Sequence, residues 1–282
     1  MWKRKLTETC MQVLMLLSIT IVLGSLLLIL GTVIWKGLPA LNLAMVTQTP
    51  KGGYYLGKEG GILNAIVGSF YLAGGATLLS LLAGLPIAIF LQLYAARKRW
   101  VGLVRLSLDL LFGIPSIVYG AFGFTLMLFL GMRASLLGGV LTLALLELPI
   151  MVRGMDEVIA TAPLSLRESA YALGSTRLET AWWVIVRQTA PGLITAVLLA
   201  FGRGIGDAAS VLFTAGYTDR LPDSLMGPAA SLPLAVFFQL GTPFPAVQER
   251  AYASALVLTM IVLGISWLSR RLGQRLDKHI IH

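Results

Sequence analysis

The chain has 282 residues, of which 57% are hydrophobic and only 12% charged, about half the charged share of an ordinary globular domain. With a mean hydropathy of +0.83, such a chain would expose far too much apolar surface to water, which excludes a soluble enzyme and points to an integral membrane protein. The formal charge of +9 does not indicate nucleic-acid binding, because the basic residues flank apolar runs in short clusters and form no basic face.

A membrane-crossing helix needs about 20 mostly apolar residues, since the hydrocarbon core is about 30 Å thick and a helix rises about 1.5 Å per residue. Residues 1–10 read as a short N-terminal segment with Lys3, Arg4 and Lys5. The basic start followed by an apolar stretch has the look of a signal peptide. The uncharged run of residues 11–35 is too long for a typical signal core, however, and no small-x-small cleavage site closes it. We expect it to stay as an anchor and first span.

The second span is expected at residues 62–94, uncharged throughout, with bends at Gly74-Gly75 and Gly84-Leu85-Pro86. The third, 106–132, carries only Asp109 as an acidic group, and Arg105 one turn earlier suggests a local ion pair. The fourth, 134–152, holds Glu147 five residues from its end, placed to reach the interface or a partner subunit.

Residues 153–183 form the loop between spans four and five. Ser165-Leu166-Arg167-Glu168 fits a capping box opening a short helix, and Gly174 suits the left-handed residue that closes one. Ala170 and Leu173 fall on one face at helical spacing, so the loop reads as a compact knob of small residues. By composition alone the favoured reading is an amphipathic helix lying passively on lipid headgroups.

Span five, 184–215, contains Arg203 and Asp207 deep inside, and span six covers 251–269. Residues 11–282 thus form one all-α, polytopic domain of six spans. Six crossings put both termini on one side. The ends and loops on that side carry fifteen basic residues against six on the other, which assigns it to the cytoplasm.

Arg203 is the only basic residue left within the membrane. Such a group costs about 2.5–3.5 kcal/mol on insertion scales, so it is paired or faces a watery cavity. Asp207, four residues on, is within reach of a helical ion pair. Gly202, Gly204 and Gly206 alternate around it, bringing a neighbouring backbone close or letting the helix bend. Two readings stand at this point: a pair that neutralises itself to fix helix packing, or a guanidinium whose planar fork meets an anion entering from outside.

No cofactor or metal constellation is expected. Cys10 is the single cysteine, His279 and His282 belong to a terminal tail, and no phosphate-cradling G-x-x-x-x-G-K-[ST] loop occurs. Any nucleotide hydrolysis must then take place on another polypeptide.

The stretch Glu168-Ser169-Ala170-Tyr171-Ala172-Leu173-Gly174, followed by Val184-Ile185-Val186, resembles the EAA loop of ABC-importer permeases. That loop reads E-A-A, three residues, G, nine residues and an I-x-L-P-like end. Here Ser169 replaces the first alanine, and Arg187 stands in the proline position with Pro191 four residues later.

Four further stretches are similar to phosphate-transporter permeases of the PstA type, with a MetI-like transmembrane domain. They are Gly60-Gly61-Ile62-Leu63-Asn64-Ala65-Ile66-Val67-Gly68-Ser69, then Leu148-Pro149-Ile150 with Arg153, Asp156 and Glu157. The others are Ala200-Phe201-Gly202-Arg203-Gly204-Ile205-Gly206-Asp207-Ala208-Ala209, with Asp207 where glutamate is usual, and Ala230-Ser231-Leu232-Pro233-Leu234.

The resemblance implies the type I importer permease fold and a non-catalytic inner-membrane subunit. Glu168, Ser169, Ala170, Leu173 and Gly174 would couple it to an ATPase, and Arg203 and Asp207 would lie on the substrate path. Implied partners are a second homologous permease, two ATPase subunits, an external phosphate-binding protein and membrane lipid. The rival readings are a permease for another oxyanion such as sulfate or molybdate, and an ion-coupled transporter or channel using Arg203, Asp207, Asp109 and Glu147 as a charge relay.

Overall fold

The computed structural model describes residues 2–51, 59–95 and 98–276, and is almost entirely helical. Lys58, Arg97, Lys278, His279 and His282 lie outside the described residues. In chain order the elements are α1 (Trp2–Gly37), α2 (Leu43–Thr47), β1 (Pro50–Lys51), β2 (Glu59–Gly60), α3 (Leu63–Ile89), α4 (Trp100–Gly113), α5 (Ser116–Phe129) and α6 (Leu136–Ala160). They continue with α7 (Leu164–Ala172), α8 (Arg177–Glu179), α9 (Val186–Gly206), α10 (Leu232–Leu240) and α11 (Pro245–Leu276). Two π-helical segments, Phe90–Tyr94 and Thr180–Ile185, extend α3 and lead into α9. The two short strands pair antiparallel with Pro50 opposite Gly60.

Among the described residues five helical stretches are long and apolar enough to cross a membrane, Thr7–Gly37, Leu63–Tyr94, Leu136–Ala160, Arg177–Gly206 and Pro245–Gln274, and the bent pair of α4 and α5 would make a sixth if it is one span. The second runs through Gly74-Gly75 and Pro86 without a break; departure from α geometry comes only at Phe90.

The expected third span is not one helix. α4 and α5 meet at 96°, because Pro115 forces Ile114 out of the helical region (φ −70°, ψ 131°) and is itself extended before it opens α5. α5 is then held flat against the bundle by close approach: a Cβ on Gly120 would lie 2.6 Å from the Ala209 carbonyl oxygen, and one on Gly123 would overlap Thr142.

The centre of the fold is α3 packed along α6, with α9 across both and α11 outside α9. Lipid tails are as apolar as leucine, so these helices are held by close packing rather than by escape from water. Leu72, Ala76, Val140, Leu143, Val211, Ala215 and Leu234 pack one half of the bundle, and Ala88, Ile89, Met151, Met155, Ile159, Ala181 and Ile185 the other. α1 meets the rest most closely at Gly37, where a Cβ would lie 2.6 Å from the Tyr252 carbonyl oxygen, and Lys36 stacks on the Tyr252 ring at 5.0 Å. Most of its length is bare apolar surface, a state suited to lipid or to another chain.

α4 is fastened to α6 by charge. Asp156, 3% exposed, accepts a bidentate grip from Arg105 (2.8 and 3.1 Å) and a bond from Gln92 Nε2 (2.9 Å). Arg153 reaches Asp109 at 2.7 Å, Glu157 at 3.3 Å and Asp156 at 3.5 Å. The local Arg105–Asp109 pair expected from their spacing is therefore replaced by two inter-helix pairs, since α6 offers each residue a partner in better geometry than its own helix does. Asp156→Asn should destabilise the protein by about 3 kcal/mol, the loss of a buried ion pair. Asp109→Asn, at a half-exposed carboxylate, should cost under about 1 kcal/mol. Thermal unfolding of both variants in detergent measures the difference.

Candidate functional site

Stretches that are far apart in sequence meet at the end of the bundle where α9 stops. Ser69 of α3 accepts the Leu232 amide through Oγ at 2.8 Å, and Ser231 caps α10 by accepting from the Leu234 amide at 3.4 Å. Gly68 allows this approach: a Cβ there would overlap the Ala230 carbonyl oxygen. Between α9 and α10 the non-helical segment 207–231 is pinned by the free amides that open α6. Ser135, Leu136 and Leu137 donate to the carbonyls of Thr214, Gly227 and Leu225 at 2.9, 2.7 and 2.8 Å. Ser69, Asp207 and Ser231 border a gap of about 10 Å³, room for about one water and far too small for a tetrahedral oxyanion.

The expected helix through residues 184–215 ends at Gly206, and this separates the two charges it was thought to pair. Asp207 is extended (φ −83°, ψ 124°), and its Oδ2 accepts from the Ser210 amide at 2.8 Å and from the Ser210 hydroxyl. Once the helix unwinds after Gly206, the i,i+4 relation that would bring Asp207 to Arg203 no longer exists, so the expected ion pair is absent. Among the described residues no carboxylate lies within ion-pair distance of Arg203. Its guanidinium instead stands 5.7 Å from the centroid of the Phe112 ring, exposed, in the last turn of α9. A cation is favoured there because the unsatisfied carbonyls of a helix end carry partial negative charge.

Glu147 is not at an interface, as its position near the end of span four suggested, but completely buried under Gly204. Thr77 Oγ1 donates to its Oε2 at 3.0 Å, and Oε1 has no partner among the described residues. A Cβ on Gly204 would lie 1.9 Å from Oε1. The alternating glycines of α9 were the signal for a close neighbour; nothing in the sequence said that the neighbour is a carboxyl group.

The knob is built differently from its expected capping. α7 starts at Leu164 behind Pro163, with no side-chain cap, so Ser165 lies inside the helix and the box from Ser165 to Glu168 does not form. The capping box belongs to Thr176 and Glu179, one helix later: the Thr176 amide donates to Glu179 Oε2 at 2.8 Å and the Glu179 amide to Thr176 Oγ1 at 3.3 Å.

Gly174 does take the left-handed conformation (φ +85°). With Gly174 donating to Tyr171 and Ser175 to Ala170 (3.0 and 3.1 Å), it forms a Schellman closure. Glu168, Ser169, Leu173 and Gly174 are exposed, Leu173 to 87%. Ala170 does not share their face. It turns inward, because α7 packs on the π-helical segment before α9.

Residues 84–282 match the family model of the binding-protein-dependent transport system inner membrane component. The chain belongs to that family. It is 34% identical over 268 residues to the phosphate transport system permease protein PstA of Haemophilus influenzae, covering 95% of this chain and 94% of that one. To the protein of the same name from Yersinia pestis it is 33% identical, with 95% and 90% covered. The inward-facing MetNI methionine ABC transporter has the same fold, with a TM-score of 0.62 at 17% identity over 76% of this chain and 95% of that one. The permease is thus a multi-pass, non-catalytic inner-membrane component that works with an ATPase and a binding protein.

In this permease Gly204→Ala should force Glu147 aside and destabilise the bundle by about 1–3 kcal/mol, the range for overpacking. Gly206→Ala, with nothing within 4 Å of the added carbon, should leave thermal unfolding in detergent unchanged.

Proposed function

We propose that this chain is one of two homologous permeases of an ATP-driven phosphate importer, with Arg203 on the path and the α7 knob as the contact for the ATPase. The observation that carries the reading is a guanidinium at the end of an apolar helix with an exposed face and, among the described residues, no carboxylate within ion-pair distance. It occurs in a chain about one-third identical, over nearly its whole length, to proteins named as phosphate permeases. Guanidinium is always charged and offers planar paired donors that match phosphate oxygens. Asp207, turned to Ser210, makes no ion pair with those donors.

The excess of basic residues supports a cytoplasmic position for the α7 end and, with the α4–α5 pair taken as one crossing, for both termini. There the exposed Leu173 and Gly174 tip would enter a groove of an ATPase, two copies of which serve the two permeases. Phosphate arrives from an external phosphate-binding protein and passes between the two permeases as the cavity opens to one side and then the other. The bare surface of α1 and of the α4–α5 elbow suits lipid and the second permease. This chain moves phosphate without altering it; ATP is hydrolysed by the partner.

Reconstituting the chain with its co-purifying subunits tests the assignment. Phosphate-loaded binding protein should stimulate ATP hydrolysis, and sulfate or molybdate should not substitute. Stimulation by sulfate or molybdate instead of phosphate would transfer the assignment to that anion, and no stimulation by any would contradict an importer. Leu173→Asp, which puts charge on the tip while leaving the Gly174 closure intact, should abolish stimulation and weaken co-purification of the ATPase. Unchanged stimulation would remove the knob from the coupling role.

A further inference from the structure

The 96° elbow between α4 and α5 has a consequence for Arg203. Because α4 stops at Gly113, Phe112 is carried in its last turn to the open end of the elbow, half exposed at 52%. There its ring stands 5.7 Å from the guanidinium carbon of Arg203 on α9. The two residues are 91 positions apart in sequence and belong to helices that have no extensive packing of their own, so the contact is set by the elbow and by the end of α9 together.

A long arginine side chain at an exposed helix end has about 2 kcal/mol of rotamer freedom unless something holds it. A carboxylate would hold it but would cancel its charge and occupy its N–H donors. An aromatic face attracts the same cation through its quadrupole and has no lone pair, so the five donors remain available to an anion.

We infer that Phe112 is a positioning residue for anion passage: its ring holds the Arg203 guanidinium at the pathway without neutralising it. The inference rests on Arg203 lining the path. Phosphate oxygens then meet a pre-placed cation from the side left open by the ring, and Phe112 itself makes no polar contact with the substrate.

The test uses the complete transporter in proteoliposomes. Phe112→Leu keeps apolar bulk and removes the π-face; Phe112→Tyr keeps the ring. Phosphate uptake by Phe112→Leu should fall by about fivefold at unchanged membrane abundance and subunit assembly, the upper end of the loss expected for an exposed cation–π contact, while Phe112→Tyr stays within about twofold of the parent. Uptake by Phe112→Leu equal to the parent, or Phe112→Tyr as impaired as Phe112→Leu, overturns the inference.

A second readout does not depend on transport. In a Cys10→Ser background, which removes the exposed native thiol, Phe112→Cys is labelled with a sulfonate and with a trimethylammonium thiosulfonate reagent. The ratio of the two rates should drop about tenfold when Arg203→Gln is added, as loss of a unit charge at this range requires. A ratio indifferent to Arg203→Gln contradicts the contact. If neither reagent reaches position 112, the pathway reading falls and this inference with it. Normal labelling with undiminished Phe112→Leu uptake removes the inference alone.

Discussion

The charge on Arg203 stands at the end of an apolar helix, and the surrounding fold is arranged so that it stays there unbalanced. Placing such a group in lipid costs about 2.5–3.5 kcal/mol. Two features offset part of this: the carbonyls of the last turn of α9, which favour a cation, and the Phe112 ring. Neither removes the charge. The residue best placed by sequence to do so, Asp207, is drawn off by the unwinding of the helix after Gly206 and fixed to Ser210. The same unwound segment also satisfies the first amides of α6, through the carbonyls of Thr214, Leu225 and Gly227.

From that point a continuous packed route leads to the α7 knob. α9 begins in the π-helical segment Thr180–Ile185 on which α7 rests. Ala181 and Ile185 of this segment share one apolar cluster with Ala88 and Ile89 at the end of α3 and with Met151, Met155 and Ile159 of α6. The second π-helical segment, Phe90–Tyr94, follows directly, and Arg177 stacks on its Tyr94 at 5.8 Å. π-helical turns are rare and recur at functional sites; here both occupy the region between the knob and the membrane helices. Asp156 ties this region to α4 through Arg105 and to the second π segment through Gln92. Displacement of α7 would therefore be felt by α9, α3 and α4 together.

Much of this was legible in the sequence where the signal was local and strong. Long, mostly apolar runs located the long helices, because a charge in lipid is costly, and Gly174 announced a helix end because only glycine takes φ +85° without strain. What the sequence hid was decided at a distance. The pairing of Arg105 with Asp156 and of Arg153 with Asp109 depends on how α4 lies on α6, which no spacing within one helix encodes. The position of Glu147 under Gly204 is of the same kind. The break at Ile114-Pro115 was different: proline after a helical run is a recognised stop signal, and an apolar run of spanning length concealed it. The Arg203–Asp207 pair failed because i,i+4 reasoning presumes an unbroken helix, and the glycines around Arg203 were already a sign that the helix need not continue.

The central claim is that an unneutralised Arg203 serves the anion path. The most direct measurement is phosphate uptake by an Arg203→Gln variant in the complete transporter, with membrane abundance, subunit assembly and ATP binding shown to equal those of the parent. Glutamine keeps hydrogen-bonding capacity but is shorter and carries no charge. Uptake should fall to a small fraction of the parent rate; undiminished uptake would contradict the account.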